Sequence, residues 1–105
     1  VMLGAFAAHS LKGSLTPQML DTYQTGVLYH FIHTLALLGA LNLPINQRSL
    51  HWAARSFMLG IVLFSGSLYL IAVSGISVLG IITPVGGSAF IAGWLLLFTA
   101  TRAED

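Results

Sequence analysis

The chain has 105 residues, of which 56% are hydrophobic and 7% charged, and four Lys/Arg against three Asp/Glu leave a net charge of +1. A water-soluble domain carries about 25% charged residues because its surface must be wetted, so this composition, with a mean hydropathy of +0.88, excludes a soluble monomer. The lack of cysteine excludes disulfides, thiolate metal sites and thiol nucleophiles, and scattered basic residues argue against nucleic acid as a partner.

Residues 1–9 (VMLGAFAAH) are apolar but too short to cross a bilayer. They read as the end of a first transmembrane helix whose earlier residues are absent from this chain, a partial span over about 1–10. A basic n-region is lacking, so the stretch is not a signal peptide. Lys12 and Gly13 close that helix. Thr16-Pro17 then starts a short amphipathic stretch, with Met19, Leu20 and Tyr23 on one side, that runs into the second span.

From residue 22 to 47 there are 26 residues without a formal charge, and from 56 to 101 there are 46. At about 1.5 Å per residue the second run would reach roughly 69 Å as one helix, over twice a hydrocarbon core of about 30 Å. It must therefore be two helices. Gly75 and the Thr83-Pro84-Val85-Gly86-Gly87 stretch punctuate it, with Thr83 as N-cap and Pro84 at the first helical position. The expectation is an all-α integral membrane four-helix bundle in one transmembrane domain (1–105), its first helix incomplete and its further spans near 23–42, 54–74 and 84–101.

Four spans put the 43–53 loop and the C-terminus on one side and the 10–22 and 75–83 loops on the other. Arg48, Arg55 and Arg102 share the first side, and only Lys12 lies on the second, so the first is expected to be cytoplasmic. In lipid, helices associate through close packing over small residues rather than through hydrophobicity. The third span offers Ala53, Ser56, Gly60, Ser67 and Ser74 on one face, the fourth Gly86, Ala89, Gly93 and Ala100, and the first fragment Gly4 and Ala8. These stripes serve either the bundle itself or a membrane-protein partner or second copy.

Chemistry in the spans centres on histidine. His30 and His33 share one face of the second helix with Gly26, Leu37 and Ala40, and His9 ends the first. An ionisable residue at membrane depth is costly and faces the bundle interior or a cavity. Four readings stand. The imidazoles are structural ties between helices, with His33 neutral and bonded to Ser65, Ser67, Tyr69 or His9; or, beside Tyr23 or Tyr29, they handle a proton or a quinone; or they ligate a haem; or His9, His30, His33 and Asp21 hold a metal. The HxxH spacing alone is too common to establish a metal or cofactor, and none is assigned. His51 beside Trp52 and Trp94 in the last span read as interfacial or packing residues. Asp21, Glu104 and Asp105 form no embedded pair, and Ser65-Gly66-Ser67 lacks the strand-turn-helix setting of a nucleophile elbow. No catalytic residue is assigned.

Four ordered motifs carry a resemblance: Gly4-Ala5-Phe6-Ala7-Ala8-His9, Tyr29-His30-x-x-His33-x-Leu35-Ala36-Leu37-Leu38, Leu63-Phe64-Ser65-Gly66-Ser67-Leu68-Tyr69, and Thr83-Pro84-x-Gly86-Gly87 before Gly93-Trp94. In that order and spacing the chain resembles the YgdD-like family of small inner-membrane proteins, a domain of unknown function. The family has Gly where Ala7 stands and often an acid where Gln24 stands, which weakens any role that needs a carboxylate there. The resemblance implies four transmembrane helices and a bacterial inner-membrane location, and it brings no activity, substrate or cofactor. Two functions are carried forward. One is a non-enzymatic accessory or assembly subunit in the lipid bilayer, packed against a larger membrane complex. The other is a protein that handles a quinone, lipid, proton or metal at His9, His30 and His33, with Tyr29 and Tyr69 beside them.

Overall fold

A computed structural model describes residues 1–7, 9, 13, 15–44 and 47–103, with side chains through residue 100. Lys12 and Ala8, assigned above to a helix end and a packing stripe, lie outside the described residues. Four α-helices follow in chain order: α1 (Met2–Phe6), α2 (Pro17–Ala40), α3 (Gln47–Ser74) and α4 (Ile82–Ala103). No strand occurs among the described residues.

Thr16 caps α2 as its sequence requires. The hydroxyl accepts from the Met19 backbone N–H at 3.2 Å, and Pro17 follows at the first helical position, where a missing N–H costs nothing. The stretch expected to start at Thr16-Pro17 thus runs unbroken into the span expected from 23, and the helix ends just short of Pro44, which cannot continue it. α3 begins at Gln47 rather than 54, because its first half buries Leu50, Ala53, Ala54 and Phe57 on one side and gains from packing what its charges would lose in lipid. Gly75, at φ 75°, terminates α3 in the left-handed region, a conformation that glycine adopts without strain.

The expected cap at Thr83 is not formed. A 3₁₀ segment (Ser77–Ile81) runs directly into α4, so Thr83 and Pro84 sit within the first turn. Pro84 still removes only an N–H that has no intrahelical acceptor. The freed Thr83 hydroxyl bonds Ser67, whose own proton goes to the Phe64 carbonyl at 2.9 Å.

α3 is central, packed against α4 along its first half and against α2 along its second. With α4 it makes an antiparallel seam of reciprocal knobs and holes. A Cβ on Gly60 would stand 2.4 Å from the Phe90 ring, and one on Gly93 would stand 2.6 Å from the Phe57 ring. One step further along, residues 61–65 form a π-helical turn, and its backbone lies so close to Gly86 that a Cβ there would be 2.2 Å from the Phe64 nitrogen. Gly60, Gly86 and Gly93, three of the small residues expected to pack, therefore meet a facing helix of the same chain. Ser74, at the last residue of α3, is exposed and bonds its own helix at the Leu70 carbonyl.

α1 is anchored by Tyr23, whose hydroxyl donates to the Leu3 carbonyl at 3.0 Å, and by Gly4 beneath Val27. The molecule measures 51 × 27 × 14 Å, a slab about half as thick as it is wide. Its surface is apolar, with Val62, Leu70, Val73, Ile91 and Leu95 outward, while His33, Ser65 and Ser67 are buried. Polar groups inside and hydrocarbon outside are the arrangement that lipid selects. Two helical stretches, Gln47–Ser74 and Ser77–Ala100, are long and apolar enough to cross a membrane. α2 matches them in length but carries Gln24, His30 and His33.

Candidate functional site

The face of α2 read from its spacing is the face that packs inward. Gly26, His33 and Ala40 are buried and His30 half-buried, and Gly26 lets α3 approach until Tyr69 and the Ser65 carbonyl lie within 3.2 Å of where a Cβ would stand.

His33 is 4% exposed and joins two helices. Its Nδ1 lies 2.8 Å from the Tyr29 carbonyl one turn back, and the Trp94 indole N–H donates to its Nε2 at 3.1 Å. An indole nitrogen can only donate, so Nε2 is the unprotonated nitrogen and Nδ1 carries the proton toward Tyr29. One neutral tautomer satisfies both bonds, and protonating Nε2 would cost the link to α4. The hydroxyls and His9 expected as partners are not used. Trp94, read as a packing residue, is the partner instead, because the antiparallel seam carries it one turn past Phe90 and onto the imidazole edge.

Around this ring the three long helices each contribute aromatics. Phe90 stacks on His33 with centroids 3.6 Å apart and planes at 12°, Phe57 tilts against it at 5.5 Å, and Trp94 meets it edge-on at 5.8 Å. Tyr29 extends the cluster onto Phe64 at 4.7 Å. Between α2 and α4 a groove of about 470 Å³ opens onto this cluster, edged by Pro84, Gly87 and Ile91.

The second histidine has a separate environment. His30 Nδ1 and the Tyr69 hydroxyl are 3.0 Å apart, and Tyr69 stands over Tyr23 with centroids at 4.9 Å. A cavity of about 290 Å³ touches His30 and Tyr69 beside Val27, Phe31, Thr34 and the first residues of α1. His9 is exposed. His9, His30, His33 and Asp21 do not converge: among the described residues no group of three or more His, Asp or Glu is placed to hold a metal ion. Haem ligation by His33 would require breaking the Trp94 bond.

Phe57 and Phe90, at the centre of the cluster, were not singled out from the sequence. Their signal was nevertheless present: Phe57-x-x-Gly60 and Phe90-x-x-Gly93 repeat one spacing on two consecutive spans, and antiparallel pairing sets each Phe over the other helix's Gly.

Comparison with known proteins agrees with this architecture. Residues 3–87 match the family model described as "Protein of unknown function (DUF423)". The UPF0382 membrane protein YwdK of Bacillus subtilis is 45% identical over 103 residues, covering 95% of this chain and 84% of that protein. A UPF0382 membrane protein of Staphylococcus haemolyticus is 41% identical over 104 residues, covering 93% and 81%. The UPF0382 inner membrane protein YgdD of Escherichia coli K12 is 43% identical over 100 residues, covering 92% and 76%. No solved structure matches. With its apolar exterior, its all-α fold and a family match over most of its length, the chain is a membrane protein belonging to the DUF423 family.

Proposed function

We propose that the chain is a multi-pass, non-enzymatic protein of the bacterial inner membrane, its C-terminus cytoplasmic, that serves as an accessory or assembly subunit beside a larger membrane complex. The observation that carries this reading is the contrast between interior and exterior. His33 spends one ring nitrogen on its own helix and the other on a bond to α4, whereas the broad faces of the slab are largely hydrocarbon. A thin apolar slab has little to offer water and much to lay against another membrane protein or a second copy of itself. Arg48, Arg55 and Arg102 support the orientation.

Affinity purification of the tagged protein from membranes in a gentle detergent, followed by mass spectrometry, tests the role. One membrane protein retained in stoichiometric amount is the expected result. Retention of lipid alone overturns it. A second reading, ligand handling at His30 and Tyr69, draws on the cavity that touches both side chains. Under it, the isolated protein carries a small molecule or chromophore that is lost on Tyr69→Phe.

A further inference from the structure

α3 is longer than the apolar layer it crosses. Its 28 residues rise about 42 Å, and a hydrocarbon core of about 30 Å takes up roughly twenty of them. Residues 56–74 carry no charge, so the surplus falls on the first two turns, which hold Arg48, with Arg55 at their inner edge. Those turns stand in the headgroup layer. The bundle end is shared, since Ala40, Leu50 and Ala100 meet in one core cluster, and Arg102 follows two residues after Ala100. Asp21 lies toward the opposite end of α2, and Glu104 and Asp105 are outside the described residues.

Here α3 buries Leu50, Ala53, Ala54 and Phe57 and turns Arg48, His51, Trp52 and Arg55 outward. Positions three, four and seven apart form one stripe on a helix. The Arg55 guanidinium carbon lies 5.2 Å from the centroid of the Trp52 ring, so the indole covers one face of the guanidinium and leaves its edge N–H groups for an anion. The same face continues downward as exposed Met58, Leu59 and Val62. Basic groups at phosphate depth, an indole at the interface and an apolar track beneath match, in order, a headgroup, a glycerol region and an acyl chain.

We propose that this face of α3 binds an anionic phospholipid, its phosphate held by Arg55 and Arg48 and its acyl chain laid along Met58, Leu59 and Val62. Native mass spectrometry of the full chain, released from detergent with phosphatidylglycerol and phosphatidylcholine supplied in equal amounts, tests it. Phosphatidylglycerol adducts are expected to dominate, and to fall about fivefold for each guanidinium removed in Arg55→Gln and Arg48→Gln. Trp52→Leu, which keeps the apolar bulk, weakens the adduct less than Arg55→Gln. Helical content and melting temperature of each variant are read alongside. Equal uptake of the two lipids by the unmodified chain overturns the proposal whatever the variants do. So does unchanged phosphatidylglycerol uptake in a folded Arg48→Gln/Arg55→Gln chain, or complete displacement of the lipid by millimolar inorganic phosphate.

Discussion

Replacing Gly86 by Ala puts the α3–α4 seam to its hardest test. The added Cβ would meet the Phe64 nitrogen at 2.2 Å, the Phe64 Cα at 2.7 Å and the Leu63 carbonyl carbon at 2.8 Å. All three are backbone atoms of the π turn, so no rotamer change can relieve them. The helices must part by about 1 Å, and a gap of that size forfeits a quarter to a half of the dispersion energy between facing atoms. The rings that fill Gly60 and Gly93 would be drawn out of their holes together. Overpacking costs about 1–3 kcal/mol where side chains can yield, and here they cannot, so the cost should sit at or above the top of that range. Alanine returns about 1 kcal/mol through helix propensity, leaving a net loss of about 2–3 kcal/mol. Gly39→Ala is the control: it lies within α2 with nothing within 4 Å of the new methyl, and should stabilise by about 0.5–1 kcal/mol. Unfolding by SDS titration in mixed micelles, followed by helical circular dichroism, measures both. If Gly86→Ala unfolds at or above the wild-type SDS fraction, the close backbone approach is wrong.

The remaining tests probe other links. Gly60→Leu and Gly93→Leu are each expected to cost more than Gly60→Ala, since the Phe90 and Phe57 rings have the bundle core behind them; wild-type detergent stability in both would mean that these faces meet lipid. Trp94→Phe should lose about 1–3 kcal/mol by leaving His33 Nε2 unpaired, whereas Trp52→Phe, exposed at the membrane edge, should leave the same SDS titration unmoved. A C-terminal reporter should be active in the cytoplasm, and activity confined to the periplasmic side would refute the orientation drawn from Arg48, Arg55 and Arg102.

Spacing and charge made the helices legible: uncharged runs bounded the spans, Gly75 marked the turn, and one face of α2 held Gly26, His33 and Ala40. Helix starts were less legible because a hydropathy argument stops at the first charge, whereas α3 continues seven residues beyond its expected start by packing Leu50 and Ala53. The π turn left no readable mark. Nothing in Ile61-Val62-Leu63-Phe64-Ser65 distinguishes it from ordinary helix. The histidine site was half legible. Burial of His33 follows from its depth, but its partner follows from the α3–α4 register, which depends on the paired Phe-x-x-Gly spacings rather than on any property of Trp94 alone.

Two serines two residues apart on α3 separate hydrogen bonding from mere burial. Ser67 is bonded to both the Phe64 carbonyl and Thr83, while Ser65 is 0% exposed and its hydroxyl has no protein partner. A serine in an α-helix returns its proton to the carbonyl four residues back, here that of Ile61. In the π turn that carbonyl already accepts the Gly66 N–H, and the widened geometry carries the Ser65 hydroxyl away from it. A buried polar group without a partner costs about 1–3 kcal/mol, and replacing it with an apolar group of similar shape removes that cost. Ser65→Ala is therefore expected to leave stability unchanged or raise it by about 1 kcal/mol. Ser67→Ala should lower it by about 0.5–1.5 kcal/mol, the net worth of an ordinary hydrogen bond, because Thr83 loses its acceptor. The two variants remove the same atom from the same helix, so differences in volume and propensity cancel. A Ser65→Ala chain that unfolds as early as the Ser67→Ala chain would mean that the Ser65 hydroxyl is bonded after all, and that the π turn does not isolate it.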